Sequence, residues 1–482
     1  MFWRGVLGYL PVNIVQAVAG FGTIVVFTRL LSPEQYGDYA LGFSVASLAA
    51  TTLFTWNEAA MARFYAAESG DQNRRALFGT IYRTFWVMAL VLPLVSALVL
   101  WLCPFSMGLK LAVTAGLASS LVRSLLKLAQ ERRRAAGAVG GFALIDMMQT
   151  GGAFLIGAGL AYAGLGGAAP LAGAGIASGL CLIFTLPGEL KLGEGGHFDP
   201  QRFRSYAAYG LPVTLSLVMS LAIANTDRFV IAGFLGTGAV GAYHAGYSLA
   251  NRTLDVMFIW LGMAGGPAAI AALERGGHGE LQRVARSQAS LMILLSLPAS
   301  AGLALVAKPL AQLMVGPALS AQAASVTVWI AASAAFSGLT TYYFHTAFTL
   351  SRRTGRLLLA MAIPAVANLG LALALIPAFG LNGAMWATTA SYFLGLCCSI
   401  LLGRDCIALP IPWETLAKAS AATAFMAVAL QFLPSPGGLL ELALKAGAGM
   451  IVYAASAVAL DLAGVRGQLA RLSRGERLEL SL

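Results

Sequence analysis

Charged side chains are scarce in this sequence. Asp, Glu, Lys and Arg make up 11% of its 482 residues, against 58% that are hydrophobic. An ordinary soluble domain carries roughly 25% charged residues. The chain therefore lacks the polar groups to cover a water-facing globule of its size, and lipid has to be its solvent. Cysteine is thin as well. Cys103, Cys181, Cys397, Cys398 and Cys406 lie within or beside apolar runs, with neither metal-ligand spacing nor a disulfide framework, and the adjacent Cys397 and Cys398 read as small apolar packers. Acidic residues are the minority, 20 against 31 Lys and Arg, for a net charge of +11. The basic residues fall in loops between apolar runs and build no continuous basic domain, which excludes a nucleic-acid binder. No Gly-Lys pair for a Walker A loop occurs, nor an HExxH or a GxSxG, and the longest expected outward loop, 308–323, is neither long nor acidic. The chain does not read as an enzyme.

What it has is apolar runs. They mark helical spans near 6–28, 39–58, 82–102, 108–128, 139–162, 169–188, 207–235, 240–264, 288–307, 324–349, 357–377, 383–403, 415–433 and 440–461. At about 20 residues per crossing this is an all-α polytopic membrane protein of about 14 transmembrane helices. The first run follows only Arg4 and is too long for a signal-peptide core, so it is expected to persist as the first helix. Pro11, Pro93, Pro212, Pro298 and Pro364 lie inside spans and predict kinks, while Trp3, Trp101 and Trp413 sit where interfacial rings are expected.

The loops alternate in charge. One set is short and nearly neutral; the other carries Arg63, Arg74 and Arg75, then Lys127 and Arg132-Arg133-Arg134, Arg202 and Arg204, Arg283 and Arg286, and Arg352, Arg353 and Arg356, with Arg466, Arg471, Arg474 and Arg477 in the tail. Roughly 25 Lys and Arg fall on the N-terminal side, with Arg29, Lys110, Lys308 and Lys445 opposite, which places both termini in the cytoplasm of a bacterial inner membrane. The Arg132-Arg133-Arg134 run is expected to set topology by touching anionic headgroups.

The sequence also contains itself. Residues 31–56 align without gaps on 235–260, pairing Leu31 with Leu235, Gly37 with Gly241, Tyr39 with Tyr243, Gly42 with Gly246, Ser44 with Ser248, Phe54 with Phe258 and Trp56 with Trp260. Gly164-Leu165-Gly166-Gly167-Ala168 matches Gly380-Leu381-Asn382-Gly383-Ala384. The expected organisation is a six-helix lobe at 1–190, a cytoplasmic linker at 191–205, a second six-helix lobe at 206–403, two extra helices within 404–465 and a basic tail at 466–482. Six crossings per copy predict a parallel pseudo-twofold along the membrane normal, as in parallel-repeat transporters.

The segment Thr28-Arg29-Leu30-Leu31-Ser32-Pro33-Glu34-Gln35-Tyr36-Gly37-Asp38-Tyr39 resembles the first-loop signature of the polysaccharide transporters, the O-antigen and exopolysaccharide flippases of the multidrug/oligosaccharidyl-lipid/polysaccharide exporter superfamily. Asp227-Arg228-Phe229-Val230-Ile231, Phe234-Leu235-Gly236 and Ala239-Val240-Gly241-Ala242-Tyr243 are similar to that family's matching stretch. The resemblance spans the chain. It implies alternating-access movement of an undecaprenyl-pyrophosphate-linked oligosaccharide from the cytoplasmic to the periplasmic leaflet. It also implies a monomer with no cofactor beyond a coupling proton or sodium ion, and a polysaccharide polymerase and co-polymerase as partners beside anionic lipids. A lipid II flippase and a multidrug/toxin extruder of the same superfamily are the alternatives.

Charges inside spans are costly, each roughly 2.5–3.5 kcal/mol at mid-helix on insertion scales, so they mark candidate sites. Asp227, Arg228, Arg252 and Asp255 stand on spans seven and eight, and His244, Ser248, Asn251 and Asp255 share one helical face. The first-repeat counterparts of Arg252 and Asp255 are Leu48 and Thr51, so the fold can be built without these charges. Arg228 and Arg252, helped by Asn225, Asn251 and Arg29, are expected to attract the pyrophosphate, because a guanidinium grips phosphate oxygens in a fork and stays charged. Asp255, Asp227 and Asp146 are the ion-coupling candidates, and Asn57, Glu58 and Arg63 the candidates for an inward gate. The bland alternatives are an Arg252–Asp255 pair at i, i+3 and an Asp227 link between spans seven and eight. His345 and Asn368 read as satisfied core groups.

Overall fold

The computed structural model describes residues 2–68, 70–102, 105–351 and 353–466, so Cys103, Arg352, Arg471, Arg474 and Arg477 lie outside the described residues. Every regular element among the described residues is a helix. In order they are α1 (Phe2–Leu30), α2 (Pro33–Phe64), α3 (Asp71–Leu102), α4 (Met107–Ala135), α5 (Val139–Tyr162), α6 (Ala169–Leu192), α7 (Pro200–Leu235), α8 (Thr237–Leu305), α9 (Ala307–Met314), α10 (Pro317–Leu339), α11 (His345–Leu350), α12 (Thr354–Phe379), α13 (Leu381–Arg404), α14 (Trp413–Gln431) and α15 (Gly438–Ala459).

Twelve segments among the described residues are long and apolar enough to cross a membrane. The difference from fourteen has two sources. The expected spans 240–264 and 288–307 lie on two helices that meet at a kink at Gly277 (φ 63°), are numbered together as α8, and count once among the twelve. The basic stretch between them, expected as a loop, is itself helical. The span expected at 415–433 is present as α14 but is not among the twelve.

The described chain divides into two compact units, Met1–His244 and Ala245–Leu482. This division falls later than the repeat boundary because α7, the first helix of the second repeat, packs along α2 of the first. Kinship follows the repeat; packing follows contact.

In the first unit α2 is the central helix, lying against α4, α6 and α7, while α5 joins α1 to α6. Its start explains the Ser-Pro-Glu-Gln motif. Ser32 Oγ accepts the Gln35 N–H at 3.3 Å, the Ser32 N–H donates to Gln35 Oε1 at 3.1 Å, and Pro33 fills the first helical position, where no N–H is missed. A Cβ added at Gly42 would come within 2.9 Å of the Ala112 carbonyl, so glycine permits the α2–α4 approach. The second unit repeats this device, with its counterpart Gly246 set against Ala323 and Val326 of α10.

The expected linker is shorter than its sequence suggested. α6 runs to Leu192 and α7 begins at Pro200, where Asp199 accepts from the N–H groups of Gln201 (2.8 Å) and Arg202 (3.3 Å). Glu189 belongs to α6, and is buried. It takes Arg132 Nη2 at 2.8 Å and Arg133 Nη1 at 3.4 Å, and the Tyr82 hydroxyl donates to it at 3.4 Å. Arg134 pairs with Glu131 at 2.8 Å. The arginine run is thus engaged with protein carboxylates, while Arg134 stays half exposed. Between α10 and α11 the residues Thr340–Phe344 form a π turn, and Gln288 Nε2 donates to the Tyr342 carbonyl at 3.3 Å.

Candidate functional site

The first unit holds a polar cavity of about 450 Å³. Its walls come from α2, α4, α5, α6 and α7, and include the hydroxyl and amide groups of Ser47, Thr51 and Thr55 on α2, Ser119, Ser120, Ser124 and Gln130 on α4, and Gln149 on α5. Small side chains at these positions leave room, and their polar ends make the space wettable, the reverse of what a packed membrane helix presents to lipid.

Five charged residues line the cavity: Glu58, Arg123, Lys127, Glu131 and Asp146. Lys127 Nζ lies 2.7 Å from Glu58 Oε2. Glu131 is taken by Arg134, outside the lining. Asp146 accepts from Gln16 Nε2 at 2.7 Å and from Gln130 Nε2 at 3.5 Å. Arg123 is exposed to the cavity, and among the described residues it makes no hydrogen bond or ion pair. It is the cation left with donors to spare. Sequence reasoning missed it, although the signal was present: Arg123 stands inside the expected span 108–128, where a charge is costly.

The cavity has a direction. Glu58, Lys127, Glu131 and Phe142 lie at the ends of α2, α4 and α5 that meet the basic loops. At the opposite end of α2 the space closes on a layer of rings: Tyr36, Tyr39 and His244, with centroids 5.6–5.8 Å apart. One level deeper, Arg228 is 4% exposed. Its Nη1 donates to Asn225 Oδ1 and, at 3.2 Å, to Ser44 Oγ.

Other expected site residues are placed as follows. Arg228 and Asn225 do not line this cavity; they sit in the α2–α7 contact. Asp227 is fully buried and accepts from the Tyr243 hydroxyl at 2.8 Å, linking α7 to α8. In the second unit Asn251 Nδ2 donates to Asp255 Oδ2 at 2.6 Å, and Arg252 is exposed with no ion pair to Asp255 within 4 Å, so the i, i+3 pair is not formed. Arg29 is exposed and donates back to the Val25 carbonyl at 2.7 Å. Asn57 is buried and donates to the Ile81 carbonyl at 2.9 Å, tying α2 to α3, while Arg63 is exposed. The expectation that His345 and Asn368 are satisfied is corrected: His345 Nε2 and both amide atoms of Asn368 have no hydrogen-bond partner among the described residues.

The second unit has a different cavity, about 590 Å³, between α8, α9, α14 and α15. Leu294, Leu303, Leu430 and Met450 are among its lining residues, and Lys445, held by Glu441 at 2.6 Å, is its one charged residue.

Residues 2–268 match the family model described as "Polysaccharide biosynthesis protein". Comparison with curated protein sequences gives no match. Among solved structures the chain is similar to a lipid II flippase, MurJ, in an inward closed conformation, at 13% identity and a TM-score of 0.78, covering 95% of this chain and 99% of that one. It is also similar to a multidrug resistance MATE family transporter of the MOP superfamily. The inward-facing form matches at 15% identity and a TM-score of 0.64, over 81% of this chain and 94% of that one. The outward-facing form matches at 15% identity and a TM-score of 0.54, over 84% and 93%. At such identities the likeness is one of fold.

Proposed function

The chain belongs to the polysaccharide biosynthesis protein family, and from that premise we propose that it is a flippase. It moves an undecaprenyl-pyrophosphate-linked oligosaccharide from the cytoplasmic to the periplasmic leaflet of a bacterial inner membrane by alternating access. It performs no bond chemistry. Both termini lie in the cytoplasm, on the side of the basic loops.

The observation that carries this reading is the Arg123 guanidinium, without a hydrogen bond or ion pair among the described residues, in a cavity that also presents hydroxyls and amides beside Glu58, Lys127, Glu131 and Asp146. A pyrophosphate needs a charged, forked donor, and sugar rings need exchangeable hydrogen bonds. Both needs are met in one space. The polyprenyl chain can stay in lipid. Arg228 holds α7 to α2. Asp146, held by neutral amides only, is the carboxylate best placed to exchange a proton or sodium ion.

The test is a strain lacking this gene. It should accumulate lipid-linked oligosaccharide on the cytoplasmic side and lose surface glycan. The wild-type gene restores export, and Arg123→Gln at equal membrane level does not. Full export by Arg123→Gln would remove the cavity from the mechanism. The fold likeness to MurJ favours lipid II as the second cargo to try, by rescue of a strain depleted of its own lipid II flippase.

A further inference from the structure

Two charges in the polar cavity are left over once its ion pairs are counted. Lys127 is taken by Glu58 at 2.7 Å, and Glu131 by Arg134 at 2.8 Å. Arg123 on α4 and Asp146 on α5 make no ion pair among the described residues. One is a cation and the other an anion. The cavity is therefore not simply basic; it has two poles.

The negative pole is set among amides. Gln16 Nε2 donates to Asp146 Oδ2 at 2.7 Å, and Gln130 Nε2 reaches Oδ1 at 3.5 Å. The same Gln130 Nε2 reaches Gln149 Oε1, also at 3.5 Å, and Gln149 Nε2 donates to Ser178 Oγ at 3.1 Å. Both Gln130 contacts are longer than an ordinary hydrogen bond, so a better-placed acceptor displaces them readily. Gln130 is 5% exposed and lines the cavity, yet its Oε1 accepts nothing among the described residues. Buried amides are normally satisfied; this one keeps an acceptor for a ligand. The fold does not need the network. On the offset that pairs Gly164 with Gly380, Asp146 falls on Ala362 and Gln149 on Ala365. Arg123 and Gln130 share one face of α4, separated by roughly 10 Å of helix at ~1.5 Å per residue, with Gln130 nearer the mouth. That separation is the reach of a diphosphate and the sugar attached to it.

We propose that Asp146, Gln130 and Gln149 form a sugar subsite that accepts a neutral sugar beside the diphosphate and rejects an acidic one. This rests on the transport reading above, with Asp146 charged while cargo loads. An ionised carboxylate only accepts hydrogen bonds. Sugar hydroxyls and acetamido N–H groups donate to it, and Gln130 offers a donor and a spare acceptor to the same ring. A uronic acid instead sets a second acceptor-only anion against Asp146. Lys127, the lining cation on that side of Arg123, is already held by Glu58. Like charges brought together away from water are costly.

The experiment compares two glycolipids on the purified full chain in nanodiscs. One is a prenyl diphosphate carrying N-acetylglucosamine; the other carries glucuronic acid in its place. The parent should bind the neutral ligand roughly tenfold or more tightly than the acidic one. Asp146→Asn should close most of that gap by gaining affinity for the acidic ligand. Gln130→Met, close in size but without the amide, should cost the neutral glycolipid several-fold more than it costs a prenyl diphosphate bearing no sugar. A merely structural role would lower the binding of all three ligands together, and that result would overturn the subsite. So would equal binding of both glycolipids by the parent, or a gap that survives Asp146→Asn. Each of these leaves the flippase reading intact. A folded protein that binds neither glycolipid nor the sugar-free diphosphate defeats that reading, and the subsite with it.

Discussion

Lys127 Nζ sits 2.7 Å from Glu58 Oε2, joining α4 to α2 at one end of the polar cavity. One turn along α4, Arg123 enters the same cavity with no such partner. Two cations on one helix, four residues apart, therefore stand in opposite positions. One balances a buried carboxylate; the other is available to a visiting anion.

Their substitutions should separate. Lys127→Gln leaves the Glu58 charge uncompensated, and thermal denaturation in detergent should fall. The loss should stay below the ~3–5 kcal/mol of a fully buried pair, since Lys127 is half exposed. Adding Glu58→Gln should recover much of it. Arg123→Gln should leave the denaturation temperature where it was and remove glycan export. Equal thermal losses for both substitutions would show that Arg123 is structural.

The buried Glu189 makes a sharper stability prediction. Arg132 reaches its Oε1 with both Nε (3.0 Å) and Nη2 (2.8 Å), Arg133 adds a longer contact, and Tyr82 brings in α3. Glu189→Gln should cost about 3–5 kcal/mol, the usual penalty for leaving buried charge unpaired. Arg132→Gln should cost more than Arg133→Gln, because only Arg132 makes the two-point contact. If these arginines acted through lipid alone, Glu189→Gln would leave thermal stability unchanged, and topology reporters would shift instead.

Much of this was readable from sequence, and what was not shares a cause. The capping box at Ser32, the apolar spans and the glycines at 37, 42, 241 and 246 are local or periodic signals, and each has a local consequence in the structure. A charge inside a span announces itself equally well. What sequence does not carry is which distant group meets it. Ser44 lies 184 positions from Arg228, and Glu189 lies 57 from Arg132. Arg228 and Arg123 look alike in a row of letters. One folds into a ring of acceptors and the other does not, and only three-dimensional packing distinguishes a structural guanidinium from one open to a ligand.

That distinction is testable at Arg228 itself. Its Nη1 donates to Ser44 Oγ and Asn225 Oδ1, and Ser44 Oγ in turn donates to Asn225 Oδ1 at 2.8 Å. Removing one acceptor from a buried charge costs about 1–3 kcal/mol, so Ser44→Ala and Asn225→Ala should each lower the denaturation temperature by a comparable amount. Arg228→Lys should keep much of the parent's stability, since both bonds leave from the single Nη1 and an ammonium also carries several donors. Arg252→Gln, which removes an exposed side chain with no ion pair, should leave stability alone. Export by the Arg228 variants should fall only as far as the amount of folded protein falls. An Arg228→Gln protein that is as stable as the parent yet exports nothing would return Arg228 to the transport path, and would mean that the α2–α7 contact opens during the cycle to let the substrate reach it.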